Sequence, residues 1–324
     1  MSMAHADARP DDAEPSQQES AGSQAAGTEP VSPTLGSATD WADPQLVASV
    51  FDAAALAHRN TPGRRGSTVH LPDQGTLIMS GDLHDHTRNL QRLIKLADLD
   101  KSPDRHLILH ELIHGPRRIN GLDMSFRILA QAAQLKAAYP AQVHLLLSNH
   151  EMAQMRREGI LKDGVSLIEA FEEGLEFVYG EQFQLVNKAI ANFIGSMSLA
   201  VRCDNGVLCS HSLPPPRCMD QFDPTVLDRD LTEADLATDG SAHHMVWGRH
   251  QTQPQLDKLA EIWNITAFVV GHQPVSEGYE AKGKNLLIVA SDHDQGVALS
   301  IDLSVKYQRD DLLNRLIQLS AVKV

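Results

Sequence analysis

Six short apolar runs punctuate the chain: TLIMS, HLILH, VHLLLS, GVLCS, AFVVG and LLIVAS. Each is too short for a helix, is rich in Leu, Ile and Val, and ends at Gly, Ser or His, which predicts buried β-strands. Between them the apolar positions recur at helical spacing. TRNLQRLIKLADL sets Leu90, Leu93, Ile94 and Ala97 on one face, and SFRILAQAAQLKAAY does the same with Phe126, Leu129, Ala130 and Ala133. VSLIEAFEEGLEFVYG and QFQLVNKAIANFIG predict two more helices, and DPQLVASVFDAAALAHR opens another on Asp-Pro. Strands alternating with helices predict an α/β fold in which helices pack on layered sheets. The stretch YQRDDLLNRLIQLSAV reads as an amphipathic C-terminal helix docked on the domain, with Leu312, Leu313, Leu316 and Leu319 near one face.

The pattern is absent before Trp41. Residues 1–40 are mainly Ala, Ser, Gln, Glu, Gly and Pro, with almost no large apolar side chains. Such a segment cannot bury enough surface to offset its ordering entropy, so a disordered tail is expected there. A single domain is expected over residues 41–324.

Composition narrows the class of partner. The net charge of −14 argues against a general nucleic-acid or anionic-membrane binder. Three cysteines, Cys203, Cys209 and Cys218, are an odd count without CxxC spacing, which fits packing thiols in a reducing compartment. The first residues lack a basic segment followed by an apolar one, and no apolar run could span a bilayer. A cytoplasmic protein is expected, with its oligomeric state open.

Each predicted strand ends in a polar cluster: GDLHDH, HELIHG, SNHE, SHS, GHQP and SDHD, in chain order. Eight of the chain's 16 histidines fall in these six segments, which is hard to explain by packing. In open α/β folds, ligands bind beyond the carboxyl ends of strands, where such loops converge. Carboxylate, imidazole and amide groups without cysteine suit divalent ions such as Mn, Fe or Zn. A carboxylate shared between two ions about 3.5–4 Å apart is the arrangement that activates water for in-line hydrolysis of a phosphoester.

In order and spacing these segments resemble the calcineurin-like metallophosphoesterases, and within them the phosphoprotein phosphatase branch, from about Leu77 to Leu303. That family's string is GDxHG, GDxxDRG, GNHE, a later His after a strand, then a GH or AH pair. The resemblance implies a layered β-sandwich flanked by helices. It implies Asp82 and His84 on a first metal, Glu111 as the bridge, and Asn149, His211 and His272 on a second. It also implies His150 as the general acid and Arg249, in HHMVWGRH, as the phosphate clamp. The reaction implied is hydrolysis of a phosphomonoester, on a protein or a small molecule, by a hydroxide bridging two metal ions. A dinucleoside polyphosphate substrate and a weakly active metal-binding scaffold are the alternatives.

The chain departs from the family string at several points. Its GD is His110-Glu111, so the bridge is one methylene longer than aspartate. The second aspartate of GDxxDRG is His114, and the arginine after it is missing, with Arg117 and Arg118 as possible substitutes. Asp85 and Ser148 stand where the string has glycines. His110 and His114 are open between additional ligands, hydrogen-bond partners that orient the carboxylates, and ordinary loop residues; the orienting role is favoured for His114. Glu151 is placed with them behind the ligands.

Overall fold

The computed structural model describes residues 41–159, 161, 162 and 164–324. The tail expected over residues 1–40 lies outside them. Two sheets form the centre. The larger runs in the order β1 (Arg64–Arg65), β2 (Thr68–Leu71), β8 (Ala200–Cys203), β9 (Val207–Ser210), β10 (Ala267–Val270), β12 (Leu286–Val289), β11 (Tyr279–Lys282). The second runs β14 (Leu316–Gln318), β13 (Val297–Asp302), β3 (Thr76–Asp82), β4 (Arg105–His110), β5 (Val143–Leu146). A two-stranded ribbon, β6 (Leu161–Lys162) with β7 (Val165–Ser166), stands apart. The helices are α1 (Pro44–Arg59), α2 (Thr87–Ala97), α3 (Phe126–Ala138), α4 (Asn149–Arg156), α5 (Leu167–Tyr179), α6 (Phe183–Ile194), α7 (Glu233–Leu236), α8 (Ser241–Trp247), α9 (Gln253–Trp263) and α10 (Arg309–Leu313).

Strand alternation explains the layering. Leu77, Met79, Ile108, Val269, Leu287 and Val289 belong to one buried cluster, while Ile78, Leu107, Leu109, Phe268, Leu286 and Ile288 belong to another. The first cluster fills the space between the sheets; the second is shared with α1, α2, α3, α6 and α9. Strands buried on both faces read as continuous apolar runs, which is why all six were visible in the sequence. The fold is the layered α/β arrangement expected.

Parallel pairing carries the site. β3, β4 and β5 run parallel, as do β9, β10 and β12. The carboxyl ends of both sets meet where Asp82 forms a parallel bridge with Ala290. Ser291 closes this seam, its N–H donating to Asp82 O (3.0 Å) and its Oγ accepting from Gly81 N–H (2.8 Å).

The C-terminal helix is shorter than expected. It stops at Leu313, and Leu316–Gln318 pairs antiparallel with β13 instead. Without that strand β13 would present a row of unpaired backbone groups at the sheet edge. Long-range pairing therefore outweighs local helical periodicity. Leu312 and Leu319 are still buried and Leu313 and Leu316 still pack on the core, so the apolar face was correct and the conformation was not.

Behind the second sheet, α3 buries Lys136 completely. Its Nζ donates to Thr61 Oγ1 (2.7 Å), Pro140 O (2.7 Å) and Val143 O (2.8 Å). Burial, and then the charge of Arg64, pull its pKa down to about 7. The unfolded lysine keeps its proton up to about pH 10.4, so between these values the unfolded chain holds more protons and stability rises with pH. This component is expected to reach about 1.4 kcal/mol per pH unit. Comparing urea midpoints at neutral and alkaline pH, Lys136→Met should remove that component. An unchanged slope would show that Lys136 stays charged in the folded protein.

Candidate metal centre

The polar clusters at the strand ends converge. Asp82 ends β3, His110 ends β4 with Glu111 next, Asn149 starts α4 after β5, His211 follows β9 and His272 follows β10. His211 Nε2 lies 2.9 Å from Glu111 Oε2, 2.8 Å from Asn149 Oδ1 and 3.1 Å from His272 Nδ1. Four donor atoms from four different loops thus face one small volume. Three sets of side chains place ligand atoms within 4.8 Å of one another: Asp82, His110 and His211; His84, Glu111 and His150; Glu111, His211 and His272. Glu111 belongs to two of them.

The backbone is bent to achieve this. His84, Asp85, Glu111, His114 and His272 all have φ between 40° and 66°, in the left-handed region. Non-glycine residues hold such angles only where their surroundings impose them, and such angles cluster at functional sites. Here the two loops are laced together: the N–H groups of Leu83 and His84 both donate to Glu111 O, and Asp85 N–H donates to Leu112 O. His272 N–H donates to both Asp82 oxygens, at 3.0 and 2.8 Å. Gly271 is confined; a Cβ there would lie 2.2 Å from Asp82 Oδ1 and 2.6 Å from His110 Cε1.

Tautomers follow from the carbonyls the rings face. His110 Nε2 is 3.0 Å from Ser80 O and His84 Nδ1 is 3.1 Å from Ile113 O, so those nitrogens carry the protons. His110 Nδ1 and His84 Nε2 are left as lone pairs, the form that binds a metal. His110 Nδ1 sits 3.5 Å from Asp82 Oδ1 and 3.1 Å from His211 Nδ1, inside the cluster rather than behind it. Burial drives the His110 and His150 pKa values down, to about 3 and about 4, and pushes His272 down as well.

The carboxylates are set apart by their neighbours. Burial and then the charge of Glu111 raise the Asp82 pKa well above the carboxylate range. Burial acts on Glu111 in the same direction, but His211, His150 and His84 around it outweigh burial and hold it ionised. Glu151 is pushed up to about 8 by burial and then by Glu111. It accepts from the N–H groups of Leu112 (2.7 Å) and Ile113 (3.2 Å) and from the Ser148 hydroxyl. Ser148, where the family string has glycine, caps α4 and places its Oγ 3.1 Å from Glu111 Oε1.

Arg249 is exposed at the rim. Its Nε–H donates to His272 Nε2 at 3.0 Å and its Nη2–H to His272 O at 3.4 Å, while His272 Nδ1 faces the cluster. Asp82 does not cap the following helix; His86 does, accepting from Asn89 N–H at 3.2 Å. His114 lies outside the cluster, its Nδ1 2.8 Å from Asp123 Oδ2. Arg118 is engaged by the same oxygen at 2.9 Å, and Arg117 is mostly exposed, 3.7 Å from Asp85. Asp123 was not visible from the sequence, because it stands alone in a loop with no motif around it.

Two parallel-stranded halves presenting buried carboxylates and imidazoles at one seam have the arrangement of a metal-dependent hydrolase of the two-sheet α/β class. Residues 76–276 match the family model for calcineurin-like phosphoesterases. The chain belongs to that family of metal-dependent hydrolases. No curated protein sequence matches it significantly. Among solved structures it is similar to a protein serine/threonine phosphatase from Saccharomyces cerevisiae with similarity to human phosphatase PP5. That match has a TM-score of 0.59 and 17% identity, over 80% of this chain and 82% of that one. It is also similar to a cold-active protein-tyrosine phosphatase of a psychrophilic Shewanella, with a TM-score of 0.49 and 13% identity over 77% of this chain and 80% of that one. At 17% identity the likeness to the yeast phosphatase concerns the fold alone. No helix among the described residues is long and apolar enough to cross a membrane.

Proposed function

We propose that the chain is a two-metal phosphomonoesterase acting on a phosphoprotein or a small phosphoester. The observation that carries this reading is the position of Glu111, whose carboxylate is shared between one group with His84 and His150 and another with His211 and His272. Asp82, His84 and Glu111 would hold one ion, with His110 Nδ1 as a further donor beside Asp82. Glu111, Asn149, His211 and His272 would hold the other. The donor set fits the group: carboxylate and amide oxygens with imidazole nitrogens suit Mn, Fe or Zn. Two divalent ions bound there would supply an activated water and positive charge for the phosphoryl oxygens.

The chain's own residues do the rest. Arg249, held by its Nη2–H on the His272 carbonyl, keeps its remaining N–H groups for two phosphoryl oxygens. His150 stands across from His84, ring centroids 5.1 Å apart, where it can protonate the leaving oxygen. Unpaired buried thiols at Cys203, Cys209 and Cys218 support a reducing, cytoplasmic setting, and the net charge of −14 supports a substrate other than nucleic acid or membrane.

The test is hydrolysis of p-nitrophenyl phosphate by the full chain, stripped with a chelator and then reloaded with manganese, iron or zinc. Activity should be absent after stripping and return with metal. A chain that demonstrably holds two ions and releases no phosphate with any of the three would overturn the reading.

A further inference from the structure

Two imidazole nitrogens beside the metal cluster lack a hydrogen-bond partner among the described residues although both are fully buried: His150 Nδ1 and His114 Nε2. They belong to neighbouring rings with centroids 5.5 Å apart. An unpaired buried nitrogen is costly, and here each ring can supply what the other lacks. The far side of His114 is fixed. Its Nδ1 lies 2.8 Å from Asp123 Oδ2, and its backbone N–H donates to Ser125 Oγ at 3.0 Å. Asp123 is only 1% exposed and is itself held on three sides. Its Oδ1 accepts from Ser125 N–H (2.9 Å), its Oδ2 pairs with Arg118 (2.9 Å), and its N–H donates to Ala170 O (3.0 Å) on α5. A carboxylate accepts only, so His114 Nδ1 must carry the proton and Nε2 must be a lone pair.

We infer that Asp123 and His114 form a relay that orients His150, with His114 Nε2 accepting the His150 Nδ1–H. This rests on the phosphoesterase reading above and names the positioning residues of that site. Once a phosphoryl dianion beside the ring has favoured its protonated form, His150 presents its Nε2–H outward. When the phosphorus–oxygen bond breaks, its electron pair goes to the leaving oxygen, which takes the Nε2 proton, while His150 keeps Nδ1–H and His114 keeps its own proton. Asp123 touches neither substrate nor metal; it acts by choosing the tautomer of His114. Burial would raise its pKa, but the His114 and Ser125 hydrogen bonds prevail and keep it ionised.

Asp123→Asn tests this with little change of shape. Its amide would donate to His114 Nδ1, reversing the relay so that Nε2–H faces His150. In the metal-free full chain, wild type should show a low-field imidazole proton resonance that Asp123→Asn abolishes, whatever the activity proves to be. In the metal-loaded chain, kcat should fall about tenfold on phenyl phosphate, a poor leaving group, and about twofold on p-nitrophenyl phosphate, with KM and metal content unchanged. Equal losses on both substrates, with the low-field resonance retained, would overturn the relay. An inactive wild type that still shows the resonance would sink the phosphoesterase reading and leave the hydrogen-bonded relay in place.

Discussion

Glu111→Gln is expected to lower phosphatase turnover by about 10²–10³-fold, the cost typical of removing a preorganised electrostatic group at a reacting centre. It should also reduce the bound metal from two ions per chain to about one or fewer. Glutamine keeps the shape and the oxygen facing Ser148, but it replaces the oxygen 2.9 Å from His211 Nε2 with a neutral group unable to bridge two cations. Stability should change little. The charge of Glu111 contributes to pushing up both Asp82 and Glu151, so neutralising it relieves two buried carboxylates, but it also gives up the charge that His211, His150 and His84 favour. The metal-free variant should therefore melt close to wild type. Metal analysis, kcat and a metal-free melting curve check all three parts. A variant with full activity and two bound ions would remove Glu111 from the bridging position.

The parts of this molecule that the sequence revealed share a physical feature. β3, β4, β5, β9, β10 and β12 are buried on both faces, so their apolar runs needed no context to be recognised. The ligand-type residues came next because parallel strands deliver whatever follows their carboxyl ends to a common edge. Legibility ended where long-range pairing or solitary residues decide. Leu316–Gln318 has helical spacing but meets the open edge of β13. The role of His110 was open in the sequence, because the direction of its ring depends on Ser80 O accepting its Nε2–H. Asp123 carries no local signal at all. Its importance comes from Arg118, Ser125 and His114 closing around it, which only the folded loop brings about.

His150→Gln should leave both metal ions in place and reduce kcat on phenyl phosphate by about 10²–10⁴-fold, the range for a lost general acid. On p-nitrophenyl phosphate, whose leaving group needs no proton, the loss should be smaller. His150 stands next to Asn149 and 5.1 Å from His84 between ring centroids, so it belongs to the site without being required to hold it together. Burial lowers its pKa to about 4, and the free chain therefore carries it neutral near pH 7. The proton has to be favoured by what arrives with substrate, and a phosphoryl dianion beside the ring acts in that direction. His114 Nε2, as an acceptor for Nδ1–H, acts in the same direction from behind. This bounds the relay: Asp123→Asn cannot cost more than His150→Gln, and in the double variant the loss should equal that of His150→Gln alone. Additive losses in that cycle would mean that Asp123 reaches the reaction by a route other than His150.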